Sequence, residues 1–91
     1  MHDRQRLKDN FENAMLLIYH LKMCPEKEGK PIPGRRYFEP EDFVTNFTLE
    51  EFLEIAKPVI KGILENEDSM QLIYVTDACN YVLKAYHQAG H

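Results

Sequence analysis

"SMQLIYVTDACNYVLKAYHQ", residues 69–88, is the stretch that decides the fold. Wound as an α-helix, it places Leu72, Val75, Cys79, Val82 and Tyr86 on one stripe. Tyr74, Ala78, Tyr81 and Ala85 form a second stripe beside it, and only Asp77, Asn80 and Lys84 make a compact polar face. Apolar or aromatic groups thus cover roughly 200° of the circumference, where an ordinary surface helix shows about 100°. Such a helix is either central to its fold or shared with another molecule. The Tyr74/Ala78/Tyr81/Ala85 stripe is expected to be the shared one. Alternating Tyr and Ala lets helices approach closely while the phenol tips reach polar groups. Gly90 is placed to end the helix.

Working outward toward the N-terminus, "NEDSM" (66–70) makes a turn, and Asp68 with Gln71 resembles a capping box. Before it, "TLEE" (48–51) carries the clearest local signal in the chain. Thr48 and Glu51 can each satisfy an orphan backbone N–H at a helix start. Leu49, Phe52, Leu53, Ala56, Val59, Ile60, Ile63 and Leu64 then sustain a helical stripe over about 49–65. Pro58 lies inside it and frees the carbonyl of Glu54, which predicts a kink rather than a stop. "EPED" (39–42) sets Pro40 at a first helical position with acids behind it, predicting a short helix near 40–46.

The first helix is expected over about 4–23, with Asp3 as its cap. Leu7, Phe11, Ala14, Ile18 and Leu21 share one face, and Pro25 stops the helix because the residue before a proline is driven out of the α region. The expected fold is therefore all-α. It is a compact bundle of three main helices (about 4–23, 49–65 and 69–88) plus a short helix near 40–46, with a long Pro/Gly loop at 25–39. Ninety-one residues make a single domain, 1–91, with a modest core.

Composition narrows the class. A hydrophobic content of 44% with five Tyr and five Phe suits a folded globule. No run approaches the ~18 apolar residues of a membrane span. The charged start "MHDRQRLKDN" leads into a helix and is no signal peptide. Two cysteines in unrelated contexts define no disulfide framework, so a cytoplasmic protein with reduced thiols is expected. Residues 1–38 carry eight Lys/Arg against five Asp/Glu, a balance of +3. Residues 39–91 carry three against ten, a balance of −7. That bipolar charge can steer a charged partner or orient self-association.

The border between the two halves falls in "KEGKPIPGRRYFEPEDF" (27–43). Lys30, Arg35 and Arg36 could meet phosphates there, and Tyr37 and Phe38 could stack on unpaired bases. Against this, five of the ten aromatics (Tyr37, Phe38, Phe43, Phe47, Phe52) fall within sixteen residues, which suits a strap stitched into a core. Pro31 and Pro33 lack the PxxP spacing of polyproline ligands, and a stiffened loop explains them.

Other constellations carry little chemistry. His20 and Cys24 lie four apart, but the tighter paired spacings of zinc sites are missing and Cys79 sits on a core stripe. "YHLKMC" (19–24) is similar to the His-x-Lys of histidine phosphotransfer domains in two residues only, and a helix-surface histidine accounts for it. Glu50, Glu51 and Glu54 occupy a helix's first turns with Lys57 and Lys61 behind them, the pattern of a solvated face. No nucleophile context, glycine-rich phosphate loop or HExxH is present. The sequence thus assigns no catalytic residue, metal ligand or cofactor. The expected function is that of a small intracellular, non-enzymatic regulator, adaptor or inhibitor acting by protein contact, as a homodimer or a heteromeric subunit, with no membrane association. The alternative is nucleic-acid binding through Lys30, Arg35, Arg36 and Tyr37.

Overall fold

A computed structural model describes residues 4–23 and 38–90 of the chain, and every element among them is helical. In order these are α1 (Arg4–Asp9), α2 (Phe11–Ile18), a π-helical segment (Tyr19–Met23), α3 (Pro40–Asn46), α4 (Leu49–Glu65) and α5 (Ser69–Gln88). The all-α class holds, and α3, α4 and α5 occupy the spans that their caps predict. Asp3, Cys24, Pro25 and the rest of the loop to Tyr37 lie outside the described residues.

The caps show why the boundaries were legible. Thr48 Oγ1 accepts the Glu51 N–H at 3.1 Å while the Glu51 carboxylate accepts the Thr48 N–H at 3.0 Å, which completes the box. The Asp42 carboxylate accepts the Glu39 N–H at 2.9 Å ahead of Pro40. At α5 only half of the expected box forms. Asp68 accepts the Gln71 N–H at 3.0 Å, but the Gln71 amide turns away and donates to Glu12 at 2.8 Å, tying α5 to α2. Helix α4 continues through Pro58 to Glu65, so the proline does not stop it.

The first helix departs from expectation. It is not continuous over 4–23, because the α-helix is interrupted at Asn10 and widens into a π turn at Tyr19. Asn10 leaves helical geometry (φ −113°, ψ 25°), and its side-chain amide and backbone N–H both donate to the Arg6 carbonyl, at 2.9 and 3.1 Å. At the other end the Tyr19 N–H is shared between the carbonyls of Leu16 and Met15. The looser turn that follows rotates the side chains of 19–22 relative to those of α2.

Helix α5 is the centre of the fold. It packs against α4, α2, α3 and the π segment, and buries Val75, Ala78, Cys79, Val82 and Tyr86. Leu7, Phe11, Ala14, Met15 and Ile18 are buried against it from the N-terminal side. Three rings meet at the heart of the core. Phe11 lies 5.7 Å from Phe43 and 5.5 Å from Phe52, and Phe43 and Phe52 lie 5.8 Å apart. Phe47 stacks on Phe43 at 6.2 Å, and Tyr86 meets Phe52 at 5.6 Å. The short helix α3 is therefore part of the core, with Pro40 and Phe43 fully buried.

Two contacts close the bundle across its charge border. The Arg4 guanidinium lies 4.7 Å from the Phe47 ring centre, donates to the Asn46 carbonyl at 2.8 Å, and pairs with Glu51. It thereby satisfies an orphan carbonyl at the C-terminus of α3. Lys22 pairs with Glu39 at 2.9 Å. No described helix is long and apolar enough to cross a membrane.

Candidate interaction surface

The stripe expected to meet a partner lies against the chain's own π segment. Tyr74 is half-buried, with its ring 4.6 Å from that of Tyr19 and 5.8 Å from that of His20. Ala78 is fully buried within the chain. Tyr81 and Ala85 are half-buried, and Tyr81 packs against the core. The phenol of Tyr81 is close enough to Lys22 to favour its charged form, behind the stronger effect of the Glu39 carboxylate. The four residues do share one face, as their spacing requires, but the π segment covers much of it. Sequence alone could not allocate that face. The widened turn at Tyr19 swings an aromatic ring over Tyr74, and the helical pattern of 4–23 gives no sign of it.

Lys30, Arg35, Arg36 and Tyr37, which carry the nucleic-acid alternative, lie outside the described residues. Their neighbour Phe38 is buried.

The apolar surface that remains open lies elsewhere, on α4 and the start of α5. Leu53 is 40% exposed, Leu64 and Met70 are each 56% exposed, and Ile73 is 48% exposed. On α4, Leu53, Ile60 and Leu64 recur at spacings of seven and four, so they share a face about a quarter turn from the buried Phe52, Ala56 and Ile63. On α5, Met70 and Ile73 are one turn apart near its start. A groove of about 150 Å³ runs between the two helices there, lined by Ile63, Leu64 and Leu72 with Glu67, Asp68 and Ser69 at its rim.

The bend that presents this surface is held by backbone geometry. Glu67 has φ 55°, a left-handed conformation that side chains other than Gly rarely adopt. Its N–H donates to the Leu64 carbonyl at 3.1 Å, and the Asp68 N–H reaches the Ile63 carbonyl at 3.4 Å. These two bonds are the Schellman pattern that terminates a helix. Glu65, Glu67 and Asp68 are all exposed around the bend, and Asp77 is half-buried one turn past Ile73. The sequence did contain a signal for this surface. The α4 stripe of eight apolar residues is wider than one core-facing side can use.

The remaining chemistry-bearing groups have structural surroundings. The Cys79 thiol is buried, and burial pushes its pKa up to about 12, so it stays protonated and unreactive. Glu54 pairs with Lys57 at 3.5 Å on the exposed face of α4. Arg4 and the Thr48 N–H hold the Glu51 carboxyl down at about 2. Among the described residues, no three or more His, Cys, Asp or Glu side chains gather where they could hold a metal ion. Compared with known protein families, curated proteins and solved structures, the chain matches none of them.

Proposed function

We propose that this chain is a small non-enzymatic, cytoplasmic interaction module, a regulator, adaptor or inhibitor that acts by contact with another protein chain. The observation that carries the reading is the exposure of Leu53, Leu64, Met70 and Ile73 on two adjacent helices whose opposite sides already fill the core. A monomer gains nothing from holding four large apolar side chains in water, whereas a partner that covers them recovers roughly 25 cal/mol for each Å² of apolar surface removed. A homodimer remains within this reading, with Ala78 buried in its own chain and Tyr74, Tyr81 and Ala85 half-buried on the same face.

The test is recovery of the protein from its native host, followed by mass measurement of the intact complex. Wild type is expected to carry a stoichiometric protein partner, either a second copy or another chain. A Leu64→Lys/Ile73→Lys variant, altered only at exposed positions, is expected to lose it while keeping its helical content. A partner that persists on the double variant, or the absence of any partner from wild type, would sink the reading.

A further inference from the structure

The surroundings of Leu64, Met70 and Ile73 define what should cover them. The bend carries exposed carboxylates at Glu65, Glu67 and Asp68, and Asp77 follows one turn beyond Ile73. From Gly62 to Leu83 the chain contains no Lys or Arg at all. An apolar centre whose rim is acidic at the bend, with Lys61 one turn before Leu64 on the other side, selects partners by charge as well as by apolar fit. We propose that this surface receives an amphipathic helix of another protein, with its apolar stripe flanked by lysines or arginines.

Resting as it does on the reading as an interaction module, the inference adds the chemistry of the partner. A second copy of the chain satisfies that chemistry poorly. Related by a two-fold axis through the patch, it would set the bend's carboxylates against their own images. A head-to-tail arrangement would bring up α1, where Arg4, Arg6 and Lys8 are exposed, but none of the four exposed large apolar residues lies there. An anionic lipid surface meets the same acidic rim and is repelled by it.

Shape supports a helix as the occupant. The groove between Leu64 and Leu72 has an almost wholly apolar lining to which Glu67 and Asp68 also belong, so one inserted aliphatic side chain would bring its flanking cations near those two residues. Lys57 and Lys61 lie about two turns and one turn before Leu64 on α4 and mark where the acidic rim ends. The partner's basic flank is therefore set over the bend, and any acidic residue it carries falls toward Lys57 and Lys61. Affinity comes from the apolar centre, because exposed ion pairs contribute little individually, while the charges supply selection and speed of encounter.

Two synthetic helical peptides test the proposal. They share one leucine stripe, flanked by lysines in the first and by glutamates in the second, and each is titrated into the full-length, isotope-labelled protein. The lysine peptide is expected to bind about tenfold or more tightly than the glutamate peptide at low salt, with the difference shrinking as salt rises. Amide shifts should map to Leu64, Met70 and Ile73. A Glu65→Lys/Glu67→Lys variant should reverse the preference, and Met70→Ser/Ile73→Ser should weaken both peptides with helical content unchanged by circular dichroism. Equal binding of the two peptides, binding of neither, or shifts that map to another face would overturn the inference. So would a concentration-dependent dimer that Met70→Ser/Ile73→Ser dissolves. The two readings fail separately. If the native complex is lost in the Leu64→Lys/Ile73→Lys variant but the peptides are not discriminated, the charge inference falls and the contact reading stands. If the native complex survives that variant, the contact reading itself falls.

Discussion

At the scale of single residues, Tyr86 does the most to join distant parts of the chain. Its ring is fully buried, and its hydroxyl lies 3.0 Å from the carbonyl oxygens of both Phe43 and Phe47, sharing its proton between them at the end of α3. Removing it in Tyr86→Phe takes this donor from the Phe47 carbonyl, while the Phe43 carbonyl keeps the Phe47 N–H at 2.8 Å, and is expected to cost about 1–3 kcal/mol in denaturant unfolding. Burial, with a further push from the Glu51 charge, raises the phenol to about 12. A folded pKa above the unfolded value means that the native state holds the proton more tightly. The associated stability is therefore complete below pH about 10 and disappears as pH climbs toward 12. Tyr86→Phe should flatten that alkaline limb, and an unchanged limb would show that another group sets it. Cys79 makes a second prediction at this scale. In a Cys24→Ser background the remaining thiol should react with a disulfide reagent no faster than the protein unfolds, since it is buried and protonated. Rapid stoichiometric labelling would contradict this.

At the scale of elements, the junctions hold the most testable physics. Glu67 occupies a left-handed position that terminates α4, and a side chain there costs energy that glycine does not. Glu67→Gly is expected to raise stability by about 0.5–1 kcal/mol, measured by thermal or chemical unfolding. A loss would mean that the Glu67 side chain makes a contact more valuable than the relief of strain. The Arg4–Glu51 pair links α1 to the start of α4 and, with the Thr48 N–H, depresses the Glu51 carboxyl from 4.5 to about 2. A depressed folded pKa gives stability that is present above pH 4.5 and is lost as pH falls toward 2. Arg4→Ala should make stability less dependent on pH in that window, as followed by acid unfolding. Both groups are exposed, so the effect should shrink as salt is added.

At the scale of the whole molecule, one aromatic core joins the elements of the fold. Phe11 touches both Phe43 and Phe52, so it connects α2 with α3 and α4 over the central α5. Phe11→Ala is expected to cost about 3–5 kcal/mol and to lower the stability of the domain as one cooperative unit. Two separate unfolding transitions would show that the helices are less interdependent than their packing implies. The bipolar charge also acquires an internal use at this scale. Arg4 pairs with Glu51 and Lys22 with Glu39, so basic side chains from the first half meet acids of the second within one chain. What is left over is the acidic bend around Leu64, Met70 and Ile73.

The sequence by itself determined the helix ends that depend on neighbours a few residues away. Thr48 with Glu51, Pro40 with Asp42 behind it, Asp68 and Gly90 mark helix ends through local hydrogen bonds and backbone preference, and α3, α4 and α5 lie where those residues place them. The buried stripe Val75, Cys79, Val82 and Tyr86 was legible for the same reason, since its spacing is the helical period. Tertiary structure alone decided how the surplus apolar surface is shared out. The π segment sets the Tyr19 and His20 rings against Tyr74 on one aromatic face of α5, and Ala78 on that face is buried. The bend at Glu67 left Leu64, Met70 and Ile73 in water. A helical pattern records which residues share a face, but which face is covered depends on the direction of neighbouring helices. That direction is set by packing between residues far apart in the chain.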